Sequence, residues 1–158
     1  VCDALGGADS KEDRLRILKD SHSGSFAVVA LVLLLIVKTA AVAVLVQRGL
    51  AWQCAGVVAI SRCSLALLAA IGTYPRDSGT AQHVVGNVAP EALLLALVTG
   101  MPWLLLNGMP SATLAVLLLT AIVFLRARTA LGGVTGDVLG ASAELSETVG
   151  MLVITATG

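Results

Sequence analysis

The run Gly132-Gly133-Val134-Thr135-Gly136-Asp137, followed by Gly140, Ala141, Glu144 and Glu147, gathers three carboxylates and several small residues into sixteen positions. Paired glycines allow a tight backbone approach, and Thr135 can cap a helix that starts near Asp137. On such a helix, steps of three, four and seven stay on one side, so Asp137, Gly140, Ala141, Glu144 and Glu147 share a broad face. At a 1.5 Å rise per residue, Asp137 and Glu144 lie about 10 Å apart along the axis. The small residues between them leave room for a ligand or for a closely packed helix. Asp137 has two available roles, complementing the helix dipole or acting on a ligand. Glu144 and Glu147 fall inside an apolar run, where a carboxylate is costly enough that a functional site is the default reading.

A second group of chemically capable residues lies at the other end, in VCDALGGADSKEDRLRILKDSHSGSF. Arg14, Leu15, Leu18 and Lys19 fit a short amphipathic helix at an interface, with Asp9, Lys11, Glu12 and Asp13 as its solvated face. Asp3, Lys19, Asp20 and Gly24 are the candidates for chemistry, because they adjoin glycines and the first apolar run. Carboxylates gathered with basic side chains suit magnesium–phosphate chemistry. Magnesium takes one or two carboxylates together with phosphate oxygens and water, and Lys or Arg neutralises the rest of a diphosphate. Lys38 and Arg62 stand mid-way along apolar runs, where snorkelling is difficult, so at least one should pair with Glu144 or Glu147. Arg62 is equally a candidate substrate contact, whereas Lys38 reads as structural. The turn at 74–79 offers Arg76 as a phosphate contact, while His22 and His83 are solitary and His83 reads as a surface residue.

These residues need elements to hold them. The chain is 57% hydrophobic and 13% charged, against about 25% charged in a soluble domain, and its mean hydropathy is +0.93. The class is an integral membrane protein, all-α, a polytopic helix bundle. Zero net charge provides no basic field for nucleic acid. Five apolar stretches are expected to span or re-enter: 26–46, 50–72, 92–106, 112–125 and 138–157. The third and fourth are short for a span of about 20 residues and are joined by a tight turn at Asn107-Gly108-Met109-Pro110. They are read as two spans. Residues 1–25 form a polar region outside the 26–157 bundle, and the whole is one domain. Lys11, Arg14, Arg16, Lys19, Arg76, Arg126 and Arg128 fall on one side of this topology and Arg48 on the other. The positive-inside rule then places the N-terminal region, the loop after residue 72 and the Gly132–Asp137 turn together at the cytoplasmic side. Cys2, Cys54 and Cys63 have no metal-type spacing. Cys54 and Cys63 fall on roughly opposite faces of one helix, so no disulfide is expected between them.

VCDALGG, RLRILKDSHSGSFA and GGVTGDVLGASAELSE together resemble the adenosylcobinamide-GDP ribazoletransferase family, also called cobalamin synthase. The resemblance covers essentially the whole chain. Its most specific part is the ending carried by Gly132, Gly133, Thr135, Gly136, Asp137, Gly140, Ala141, Glu144 and Glu147. Ala4, His22 and Ala27 depart from the family's usual glycine, arginine and glycine. Members are longer polytopic enzymes, so the resemblance implies a further N-terminal part bearing more acidic residues. It implies transfer of the adenosylcobinamide phosphate moiety from adenosylcobinamide-GDP to α-ribazole or its 5′-phosphate, with release of GMP. The expected cofactor is Mg²⁺, and the expected location is the bacterial inner membrane with the site facing the cytoplasm. Under that reading Asp3, Asp20 and Asp137 are metal ligands, and Asp137 and Glu144 are catalytic, with base and ligand roles left open between them. Lys19, Arg62, Arg76, Gly133 and Thr135 contact substrate. The partners are these substrates and the lipid bilayer, without nucleic acid, and a homo-oligomer is compatible with the pattern. Two other classes compete. A CDP-alcohol phosphatidyltransferase would need an aspartate pattern on one helix that is absent here. A small ion- or proton-coupled transporter would use Lys38, Arg62, Glu144 and Glu147 as a relay.

Overall fold

A computed structural model describes residues 1–8, 10–20, 22, 24–76, 78–106 and 110–157. Seven helices follow one another among the described residues: α1 (Cys2–Gly6), α2 (Lys11–Ile17), α3 (Ser25–Gln47), α4 (Ala51–Ile71), α5 (Pro90–Leu106), α6 (Pro110–Leu131) and α7 (Gly136–Thr157). Four of them, α3, α4, α6 and α7, are long and apolar enough to cross a membrane. The remaining expected apolar stretch is α5, which at 17 residues and with Pro102 inside it is the shortest of the five apolar helices. In contrast, α6 runs 22 residues, well beyond the apolar stretch 112–125, because Arg126 and Arg128 ride its exposed side to the end. Their long stems can reach an interface from there. The expected turn at 107–109 lies outside the described residues, as do Asp9, Ser21, Ser23 and Asp77.

Helix ends follow from local chemistry. Gly49 adopts φ +73° directly after α3. Its amide donates to the Val46 carbonyl at 3.0 Å, and Leu50 donates back to Leu45 at 2.7 Å. That is a Schellman closure, and Leu45 and Leu50 share one apolar cluster, the contact that normally accompanies it. At the other end of the bundle Gly132, with φ +78°, terminates α6. Val134 then donates its amide to the Thr73 carbonyl at 2.8 Å, stitching the α6–α7 turn to the segment after α4.

The core has two centres, and α7 contributes to both. One gathers Ala41, Leu45, Val57, Ile60, Val116, Met151 and Ile154. The other gathers Leu68, Ala81, Val85, Leu131, Val134 and Val138. Small residues bring the helices close between them. A side chain at Gly150 would meet Val57 Cγ1 at 2.7 Å and Val116 Cγ2 at 3.0 Å, the close approach that drives packing when lipid is the solvent. A hydroxyl seam crosses the same interface. Ser61 Oγ is 3.0 Å from Ser146 Oγ, Ser64 donates to the Ser61 carbonyl at 2.8 Å, and Thr120 donates to Ser64 at 3.2 Å. Outward faces are apolar, with Phe26, Val29, Ile36, Leu94, Leu118 and Ile122 all more than half exposed, as hydrocarbon contact requires.

α3 and α7 run parallel. Lys38 meets Glu144 and Glu147, Leu45 shares a cluster with Met151 and Ile154, and Arg48 Nη1 donates to the Thr155 carbonyl at 2.7 Å. Their N-termini therefore lie at one end of the bundle, together with α1, α2 and the Gly132–Gly136 turn.

Candidate active site

At that end α3 and α7 leave a groove of about 770 Å³ between them, which Val1 and Cys2 also line. Its walls are Ala27, Ala30, Leu34 and Val37 of α3 facing Gly136, Asp137, Gly140, Ala141 and Glu144 of α7. Four of the five residues expected on one face of α7, Asp137, Gly140, Ala141 and Glu144, line this surface, whereas the fifth, Glu147, is buried and does not. Thr135 is fully buried and sits immediately before α7. Its Oγ1 accepts from the Val138 amide at 3.4 Å, so it acts as the expected cap and not as an exposed contact. Gly133 is required by close packing, since a Cβ there would run into the Thr73 carbonyl.

Asp137 is exposed in the first turn of α7. It forms no side-chain hydrogen bond or ion pair among the described residues. It stands at the positive end of the α7 helix dipole. Glu144 lies two turns deeper, with Oε2 held by Lys38 Nζ at 2.7 Å. The same ammonium reaches Glu147 Oε2 at 2.6 Å, and Glu147 is only 3% exposed. Arg62 Nη2 stands 2.9 Å from Glu147 Oε1, near enough for an ion pair but off the hydrogen-bond direction. Two acids and two bases thus neutralise one another between α3, α4 and α7. The expected pairing of the mid-span cations is present, and Arg62 is engaged there and does not line the groove.

The N-terminal acids have different tasks. Gly24, the residue before α3, has no side chain with which to cap the helix. Asp3 supplies the cap from α1: Oδ2 accepts from the Gly24 amide at 2.8 Å and Oδ1 from the Ala27 amide at 3.0 Å. Asp20 accepts from the His22 backbone amide at 2.9 Å and lies 2.8 Å from its ring Nδ1. The backbone bond first, then the ring, holds its carboxyl below the usual carboxylate range. Asp3, Asp20 and Asp137 do not converge: among the described residues no group of three His, Cys, Asp or Glu side chains is placed to hold a metal ion. The described residues alone therefore do not assemble the expected three-aspartate site. Each oxygen of Asp3 accepts an amide at the start of α3, whereas Asp137 carries no such bond among the described residues. What remains fits magnesium in its other common mode, one protein carboxylate with phosphate oxygens and water completing the shell. Asp137 is the carboxylate available for it.

Basic side chains gather at the same end of the bundle, around α2. Arg76 Nη2 donates to the Leu15 carbonyl at 3.4 Å, and its Nε is buried without a partner. Lys19 is exposed just beyond α2. The short amphipathic helix expected around Arg14 and Leu15 is present as α2, and Leu15 and Leu18 pack it against the bundle. Arg14 donates to the Ala8 carbonyl at 3.0 Å and to the Ala130 carbonyl at 3.5 Å, and the Lys11 amine lies against Gly132. The left-handed Gly132 has a bare backbone, which leaves space for a neighbour's side chain.

A family model described as cobalamin-5-phosphate synthase matches residues 1–155. The chain is similar to proteins named adenosylcobinamide-GDP ribazoletransferase. It is 36% identical to that of Prosthecochloris aestuarii over 155 residues, covering 93% of this chain and 62% of the relative. For Clostridium tetani the identity is 30% over 150 residues, covering 92% and 60%. For Pseudomonas aeruginosa it is 37% over 147 residues, covering 90% and 59%. The chain thus spans about 60% of the length of these relatives. No solved structure matches it.

Proposed function

The chain belongs to the cobalamin-5-phosphate synthase family, and from that premise we propose that it forms the transfer site of an adenosylcobinamide-GDP ribazoletransferase. The observation that carries the reading is Asp137, an unpaired carboxylate at the start of α7 and at the mouth of a nucleoside-sized groove. The acceptor is α-ribazole or its 5′-phosphate. Its ribose 3′-oxygen attacks the phosphorus attached to the cobinamide. A new P–O bond forms, the bridging P–O bond of the diphosphate breaks, and the electron pair leaves on GMP.

Asp137 takes the hydroxyl proton. A carboxylate has two oxygens, so the second is available to hold Mg²⁺ against the donor's phosphates. When bound, the metal neutralises charge developing on the leaving GMP. Glu144 is oriented by Lys38 and lines the inner groove. Lys19 and Arg76, at the same end of the bundle, are suited to steady phosphates before and after transfer. The excess of Lys and Arg at this end favours a cytoplasmic orientation in the bacterial inner membrane. The transporter alternative has less support, because Lys38, Arg62, Glu144 and Glu147 already satisfy one another.

The test is magnesium-dependent release of GMP from adenosylcobinamide-GDP by the full-length enzyme in the presence of α-ribazole. Substrate flux into liposomes without GMP release would overturn the proposal in favour of transport.

A further inference from the structure

The groove's small residues do not behave like those elsewhere on α7. Gly150 is crowded by Val57 and Val116, whereas a Cβ at Gly140 would meet nothing within 4 Å. Small residues at a packed seam allow close approach. Here Gly140 and Ala141 face Ala27 and Ala30 across open space of about 770 Å³, within the size range of small-molecule pockets.

Its charge is equally specific. Asp137 and Glu144 are the charged side chains lining the groove, and no Lys or Arg lines it among the described residues. Lys38 offsets Glu144, but nothing offsets Asp137. A diphosphate inside would add negative charge to an already negative, largely apolar cleft, at high desolvation cost. The cations suited to phosphate, Lys11, Arg14, Lys19 and Arg76, stand at the bundle end outside it.

We infer that the α3–α7 groove holds the uncharged aromatic end of the acceptor. The benzimidazole ring of ribazole lies between Leu34 and Gly140, its ribose is at Asp137, and the donor's diphosphate stays outside. This rests on the transferase reading. The roughly 10 Å between Asp137 and Glu144, at 1.5 Å per residue, matches a flat two-ring base with its sugar. An apolar slot with one carboxylate at the sugar position selects by shape and leaves the charged chemistry to the mouth.

The test uses the full-length enzyme. Gly140→Leu and Ala30→Leu fill the groove from opposite walls, and melting in detergent selects the variants that fold. The expected result is a rise of about tenfold or more in KM for α-ribazole, with KM for adenosylcobinamide-GDP changed less than about twofold, the scale on which an apolar pocket discriminates by fit. A rise for adenosylcobinamide-GDP instead, or for neither, overturns the inference while leaving the transferase reading intact. Binding to the wild-type protein gives an independent arm that needs no variant and no turnover: free 5,6-dimethylbenzimidazole should displace α-ribazole and GDP should not, and the opposite pattern overturns the inference. Absence of GMP release with both substrates present would count against the transferase reading alone.

Discussion

Lys38 on α3 and Glu147 on α7, 109 positions apart in the chain, meet at 2.6 Å within the helix bundle. The ammonium also holds Glu144, and Glu147 also faces Arg62. Breaking one partner of such a set leaves the others with uncompensated charge. Glu147→Gln should therefore lower stability by about 3–5 kcal/mol, read as detergent melting of the full-length enzyme. Its turnover per folded molecule should survive, because Glu147 does not line the groove. A stable but inactive Glu147→Gln would show that the chemistry lies deeper than Asp137.

Asp137→Asn should behave in the opposite way. Its carboxylate is exposed and unpaired, so melting should hardly change. Single-turnover GMP release should fall by about a thousandfold or more, since losing several kcal/mol of charge stabilisation costs that much in rate. Near-normal release at saturating magnesium would remove Asp137 from the reaction.

Asp3→Ala should act through α3. Loss of a cap that serves two amides costs about 0.5–2 kcal/mol, and Asp3→Asn should recover part of it. The apparent magnesium requirement should move with Asp137→Asn and not with Asp3→Asn. If Asp3→Asn raised the magnesium concentration needed for half-maximal rate by tenfold with melting unchanged, Asp3 would be a ligand after all.

Gly133→Ala and Gly140→Ala form a matched pair. The first drives a Cβ into the Thr73 carbonyl, while the second enters open space. Melting should drop clearly for Gly133→Ala and stay within about 0.5 kcal/mol for Gly140→Ala, as for a substitution that touches nothing. Equal effects would contradict the packing at the α6–α7 turn.

Asp20 gives a pH dependence. Its carboxyl is held low by His22, so the folded state binds its proton less readily than the unfolded chain. The contribution to stability is present above the ordinary carboxylate range and is lost as pH falls through the lowered value. Asp20→Asn should flatten the acid side of the melting-versus-pH curve slightly, the group being exposed. An unchanged acid limb would mean that the His22 contact does not persist in solution.

The membrane class and the helices α3, α4 and α7 were legible because long apolar runs have few alternatives in lipid. The pairing of Lys38 and Arg62 with the C-terminal glutamates was legible too, since mid-span charges have few places to go. The capping role of Asp3 was not, because it depends on Gly24 having no side chain with which to cap α3 and on α1 folding back over that end. The groove was equally hidden: Gly140 and Gly150 read alike in sequence, yet one is crowded and the other faces empty space. What distinguishes them is the neighbour: Gly150 packs against Val57 of α4 and Val116 of α6, whereas Gly140 faces the groove beside α3.

The contacts that tie α3 to its surroundings are polar at three heights: Asp3 at its first turn, Lys38 in the middle and Arg48 at its end. Two apolar helices in hydrocarbon have little preference for one axial register over another. These three rungs impose one, because a slip of a single turn, about 5.4 Å, would break the Lys38 and Arg48 contacts to α7 at once. The alignment of the two walls, and so the shape of the slot, is therefore set like a vernier by these polar rungs.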